Sequence, residues 1–160
     1  MTIDVRPATL ADARGIAEVH VRAWQEAYAH LVPADDLARL SIDQREVRWR
    51  ELISASTPDV WVATDEDAIV GWATSSIGHA ATTPRDRELE GLYISAVRYG
   101  TGVGQALIDA AVGKSPAFLW VADDNPRARA FYARNGFRPD GTTKIDAIAG
   151  TDILVARLVR

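Results

Sequence analysis

Tyr132, Glu88 and Glu90 are side chains that could move protons, and a run of glycines stands between them in the chain. From Glu88 to Phe137 the sequence reads ELEGLYISAVRYGTGVGQALIDAAVGKSPAFLWVADDNPRARAFYARNGF. An apolar strand leads into a turn at Gly100, Gly102 and Gly104, and an amphipathic helix follows. Glycines before a helix leave backbone N–H groups unshielded. The first N–H groups of a helix have no internal partner and carry positive partial charge, so they suit a phosphate or pyrophosphate. The same glycines could serve only to supply positive φ. A second apolar strand ends at Asn125-Pro126, a favoured N-cap and first helical residue. The short helix it opens carries Phe131 and Tyr132 and stops at Gly136. The ordered set describes a site for an acidic, pantetheine-like cofactor with a phenol beside the chemistry.

Two other phosphate-binding motifs fail on counting. A dinucleotide fingerprint from Gly100 needs glycine where Gln105 stands, and one from Gly102 meets Leu107. Gly113-Lys114-Ser115 mimics the end of a Walker A loop, but the leading glycine would fall at Ile108. That tripeptide sits at the wrong end of the helix and reads as a C-terminal cap with a cationic side chain near the last carbonyls.

The elements that must position these residues follow from periodicity. Ile3 to Arg6 alternates as a first strand, and Thr9 to Asp12 resembles a capping box with Asp in place of Glu. Ile16, Val19, His20, Ala23, Trp24, Ala27, Tyr28 and Leu31 give one apolar helix face, which Pro33 interrupts. Helices are expected over 36–40 and 43–53, with Trp49, Leu52 and Ile53 buried. Strands over 59–64 and 68–77 form a hairpin around a polar turn. A polar loop over 78–87 leads to strand 88–96, the glycine turn 98–102, helix 103–113, strand 117–122 and helix 126–135. Two last strands cover about 137–147 and 151–159. Strands both precede and follow helices, so the class is α+β or mixed α/β.

At 160 residues, with 48% apolar and 25% charged residues, one soluble domain over 1–160 is expected. A net charge of -4 and a pI of about 5.3 argue against a nucleic-acid binder held by bulk charge. The chain has no cysteine, hence no thiol nucleophile and no thiolate metal site. His30 and His79 lack metal-ligand spacing, and no His/Asp/Glu grouping suggests a metal. No signal peptide and no apolar run of membrane-spanning length is present, so no membrane partner is expected and a cytoplasmic location is the default.

Asn125-x-x-Ala128-x-x-Phe131-Tyr132-x-x-x-Gly136-Phe137 resembles motif B of the GNAT superfamily of N-acetyltransferases, and Gly100-x-Gly102-x-Gly104 after Leu92-Tyr93-Ile94 resembles its motif A. The opening Ile3 to Ala8 and the His20/Trp24/Tyr28 helix are also similar to bacterial members. The family's pyrophosphate loop usually begins with Arg or Gln. Here that position is Tyr99, with Arg98 beside it. The resemblance implies a central, mixed but mostly antiparallel seven-stranded sheet, splayed between its fourth and fifth strands and flanked by about four helices. It implies transfer of an acetyl group from acetyl-CoA to an amine by direct attack in a ternary complex. Leu92, Tyr93 and Ile94 would pair with the pantetheine arm. Tyr99, Gly100, Thr101, Gly102, Val103 and Gly104 would hold the pyrophosphate. Asn125 and Phe131 would contact the cofactor, and Tyr132 would be the general acid. Glu88, with Glu90 second, or a water relay would be the base, and the resemblance puts His20, Trp24 and Tyr28 beside the acceptor. The glutamate that some members keep five residues before the asparagine is replaced by Trp120. A small-molecule or peptide amine acceptor and a homodimer fit the resemblance. The rival readings are a catalytically weak acyl-CoA-binding sensor or accessory protein and, more distantly, a nucleotide-binding α/β domain.

Overall fold

A computed structural model describes residues 2–78 and 81–160; His79 lies outside the described residues. The strands are β1 (Ile3–Pro7), β2 (Asp59–Asp65), β3 (Ala68–Ile77), β4 (Arg87–Ile94), β5 (Ala117–Ala122), β6 (Arg138–Ile148) and β7 (Thr151–Val159), with β3 and β5 buried almost throughout. They form one seven-stranded sheet in the order β1-β2-β3-β4-β5-β7-β6. β4 and β5 are parallel, and the other neighbours are antiparallel. The described residues form five α-helices: α1 (Ala13–Ala27), α2 (Ala34–Ala38), α3 (Ile42–Ala55), α4 (Val103–Ala111) and α5 (Pro126–Arg134). The extra helix beyond the four implied is α2, a single turn started by Pro33. Among the described residues no helix is long and apolar enough to cross a membrane.

Because side chains alternate across a strand, the sheet carries a separate core on each face. Val62 and Trp72 face α1 and α3 together with Ile16, Val19 and Trp49. Ala63, Ala73 and Leu89 face α4 through Leu107 and Ile108, and Leu119, Tyr132 and Phe137 continue that core beneath α5. The capping signal at Thr9 is realised: the Asp12 carboxylate accepts the Thr9 N–H at 2.7 Å and a bidentate pair from Arg6. The Arg6 hydrogen bond, opposed by burial, holds the Asp12 carboxyl below its usual range.

Two departures from regular geometry shape the centre. β4 and β5 pair only over Arg87↔Ala117, Glu88↔Phe118 and Leu89↔Leu119, although both strands continue. Beyond Leu89 they diverge, and the sheet opens as a wedge. In addition, Thr74 pairs with Gly91 but Ser75 pairs with Leu89, so Glu90 is an extra residue bulged out of register. The side-chain faces record the switch: Leu89, Leu92 and Ile94 all pack on the α4 side, while Tyr93 packs towards α1. Strict alternation would put Leu89 with Tyr93. The alternation breaks between Glu90 and Gly91: Glu90 stays on the Glu88 face, where it accepts the hydroxyl of Ser76, the strand partner of Glu88. β4 also ends at Ile94 rather than 96, where Ser95 closes back onto Val70 and a 3-10 turn begins.

The cap of α4 differs from expectation in one residue. Gly113 has φ +57 and its N–H closes on Ile108. The cations at the helix end are not Lys114: Arg87 donates to the Ala111 carbonyl at 2.9 Å, and Arg160 to that of Gly113 at 2.5 Å.

Candidate active site

The wedge between β4 and β5 is a cleft of about 590 Å³, within the size range of small-molecule sites. Its floor is β4 from Leu89 to Ile94, one end is the glycine turn, and its far wall is β5 and α5. Since pairing with β5 stops at Leu89, the β4 backbone groups that would face β5 beyond that residue have no strand partner, and an extended amide-bearing ligand can supply one.

The turn leaves open space and unpaired N–H groups. Gly100 (φ +74) and Gly102 (φ +91) adopt backbone that other residues resist, and a Cβ at either would meet nothing within 4 Å. These glycines are therefore required by conformation and by open space for a ligand, not by packing. Thr101 fastens the turn, its hydroxyl donating to the Arg98 carbonyl at 2.6 Å. The first helical hydrogen bond of α4 is Ala106 N–H to Gly102 C=O, so the preceding N–H groups have no helical partner. Gly104 does have a packing reason: a Cβ there would lie 3.4 Å from the Phe131 ring. Val103 is buried and seats the helix start in the core.

A cation does stand beside Tyr99. Arg98 is engaged by Asp65 at 2.6 Å. The Arg127 guanidinium stands 3.8 Å from the centre of the Tyr99 ring, and both residues line the cleft. Sequence reasoning missed Arg127, yet one signal was available. A cation in the first turn of a helix opposes the helix dipole, so its presence there asks for another purpose. Asn125 caps α5, accepting the Ala128 N–H at 3.3 Å.

Tyr28, Tyr93 and Tyr132 all line the cleft. The Tyr28 and Tyr93 hydroxyls share a hydrogen bond of 2.7 Å. Burial, reinforced by Tyr28, pushes the Tyr132 phenol well above its ordinary range. Tyr93 is driven the same way by burial and then by Tyr28. All three are therefore neutral hydrogen-bonding groups at neutral pH.

The other named residues divide. Glu90 lines the cleft and accepts the Ser76 hydroxyl at 2.7 Å. Glu88 is half-buried at the point of the wedge. Burial and then Glu90 raise its carboxyl, and Lys144 opposes them. His20 and Trp24 are not cleft-lining; they stand behind Tyr93 and Tyr28 in an aromatic cluster with Trp49 and Trp72. The Trp49 indole donates to His20 Nδ1 at 3.1 Å, which fixes the proton on Nε2. Burial, then Arg45, lowers His20 to about 3, so it is neutral in the fold. The cleft also gains Glu26, which accepts the Ala96 N–H, and His30, whose ring bonds the Asp124 carbonyl at 2.7 Å. Trp120 is the first β5 residue past the last β4 pair and lines the cleft.

Known proteins resemble this chain in sequence and in fold. The sequence profile of the Acetyltransferase (GNAT) family matches residues 18–137. The uncharacterised N-acetyltransferase YuaI of Bacillus subtilis is 33% identical over 131 residues, which cover 78% of this chain and 74% of that protein. The peptidyl-lysine N-acetyltransferase YjaB of Salmonella typhimurium is 30% identical over 100 residues, 60% of this chain and 63% of that one. The crystal structure of PaiA N-acetyltransferase from Thermoplasma acidophilum in complex with coenzyme A superposes with a TM-score of 0.74 at 20% identity, covering 100% of both chains. At that identity the likeness shows the fold.

Proposed function

The chain belongs to the GNAT acetyltransferase family, and from that premise we propose that it transfers the acetyl group of acetyl-CoA to a primary amine by direct attack in a ternary complex. The observation that carries this reading is the wedge itself: an unpaired strand edge runs from an anion-binding turn to a buried phenol. The pantetheine amides pair with Leu92 to Ile94, and the pyrophosphate lies on the turn from Tyr99 to Gly104 with Arg127 supplying positive charge. The coenzyme A complex of the PaiA structure supports the same occupant here.

A free amine such as lysine has a pKa of about 10.4, so its neutral form costs about 4.6 kcal/mol at pH 7. A carboxylate or a water relay takes that proton. Glu90 stands in the wall, and Glu88, whose carboxyl is raised by burial, stands at the vertex behind it. As the tetrahedral centre forms, a β4 N–H near Ile94 stabilises its oxygen. Tyr132 then donates to the departing sulfur. A phenol pushed above its usual range does not give its proton fully to a thiolate whose own pKa is about 8.5. Tyr132 therefore acts first by hydrogen bonding to the departing sulfur. Direct attack suits a chain without cysteine.

The name of the YjaB relative favours a peptide lysine among the small-molecule and peptide amines this reading admits. Thiol release from acetyl-CoA, measured across polyamines, amino acids and lysine-containing peptides, tests the reading. It expects at least one saturable acceptor whose turnover collapses in Tyr132→Phe. Turnover that survives Tyr132→Phe removes the acid. Saturable acetyl-CoA binding with no turnover of any amine favours an acyl-CoA sensor.

A further inference from the structure

Lys114 and Lys144 are the only lysines of the chain, and their settings differ. Lys114 is exposed just past α4, at the end of the helix away from the glycine turn. Lys144 projects from β6, and its ammonium stands 4.3 Å from the centre of the Trp120 ring. Trp120 is a wall of the cleft and begins the wedge. Arg157 is the other cation near that ring, at 5.7 Å, but it is committed to Asp140 at 2.6 Å and to Thr142. Lys144 also lies within the field of Glu88, whose carboxylate it stabilises. A primary ammonium on the face of a cleft-wall tryptophan, within the field of the half-buried carboxylate at the vertex, is placed as an acceptor amine would be. The chain fills that place with its own amine.

We propose that Lys144 is a self-acetylation site, its ε-amine attacking the thioester carbonyl of acetyl-CoA bound in the same chain. The proposal rests on the acetyl-CoA reading above. The Lys144 ammonium gives one proton, by way of an intervening water, to the carboxylate at the vertex, Glu88. The neutral nitrogen then forms the amide N–C bond, and the C–S bond breaks. The nitrogen loses its second proton, coenzyme A leaves as the free thiol after hydrogen bonding to Tyr132, and one proton passes to solvent. Acetylation removes the ammonium from the Trp120 face and from Glu88. A cationic acceptor then meets an unoccupied aromatic surface and an uncompensated carboxylate, so the modification widens access for cationic amines.

The test needs no knowledge of the natural acceptor. Purified protein is incubated with acetyl-CoA, intact mass is followed over time and over a dilution series, and the modified lysine is located by peptide mapping. Calorimetric acetyl-CoA binding is measured in parallel. The expected result is one acetyl group per chain on Lys144 and none on Lys114, at a first-order rate independent of protein concentration. That rate falls about a hundredfold in Tyr132→Phe and is lost in Lys144→Arg. Equal acetylation of both lysines, or a rate untouched by Tyr132→Phe, means uncatalysed chemistry and overturns the proposal. A rate that scales with protein concentration overturns attack within one chain. Acetyl-CoA binding without acetylation overturns the proposal alone; no binding overturns the cofactor reading as well.

Discussion

Tyr132 is buried at 8% exposure, and its phenol stays protonated through neutral pH. Removing its hydroxyl should therefore act on chemistry and not on cofactor capture. Tyr132→Phe is expected to lower kcat by about a hundredfold or more while leaving acetyl-CoA affinity near wild type, as read by single-turnover thiol release beside calorimetry. Arg127 should behave in the opposite way. Its guanidinium stands over Tyr99, beside the turn proposed to hold the pyrophosphate, so Arg127→Ala is expected to weaken acetyl-CoA binding about tenfold with kcat largely retained. His20 belongs to stability. Burial lowers it from its ordinary 6.5 to about 3, so between those values the unfolded chain binds more protons than the folded one. Its contribution is complete above pH 6.5 and is lost as pH falls towards 3. His20→Gln keeps an acceptor for the Trp49 indole and cannot titrate. In urea unfolding it should lose less stability than wild type between pH 7 and pH 4, by about 3 kcal/mol; identical acid limbs would remove His20 from the account. Tyr132, Asn125 and the glycines were legible because their types and spacing are local. Arg127 was only faintly so: its place in the first turn of α5 was a signal, but its partner Tyr99 lies across the wedge. The places of His20 and Trp24 behind the wall were not legible either, since an apolar helix face gives no sign of which turn reaches the cleft.

The glycine turn and β4 are the elements that make the site, and they differ in how plainly the sequence declares them. The turn is declared by Gly100, Gly102 and the clean periodicity of α4. Gly102→Ala tests it sharply, since the new Cβ meets no atom within 4 Å and only the φ of +91 opposes it. The backbone strain should cost about 1–2 kcal/mol and lower the thermal midpoint by about 3–6 °C, and acetyl-CoA affinity should fall with it. An unchanged midpoint would mean the turn relaxes to another conformation. The bulge at Glu90 was hidden. Its only local trace is Gly91, and a strand glycine can mark a bulge or a close approach. Here both hold, because a Cβ on Gly91 would meet Trp72 at 2.8 Å. The C-terminal cap of α4 was hidden for a different reason: Arg87 and Arg160 arrive from strands remote in sequence, so the adjacent Lys114 looked like the cap.

At the scale of the whole molecule, the parallel pair β4–β5 is the hinge of the design. Three strands extend from β4 on one side and two from β5 on the other, and the helices that cover the sheet pack on both halves. β4 and β5 separate because the residues past Leu89 and Leu119 pair with β3 and β7 but not with each other. The alternating and helical periods foretold every strand and the order of the helices, while the family resemblance supplied the splay, which no local pattern in β4 or β5 encodes. The measurement that tests the central claim most directly is calorimetric titration of the protein with acetyl-CoA, with free CoA as the control. The account predicts saturable binding of one acetyl-CoA per chain, weakened in both Arg127→Ala and Gly102→Ala. The absence of any binding heat at millimolar acetyl-CoA would contradict it.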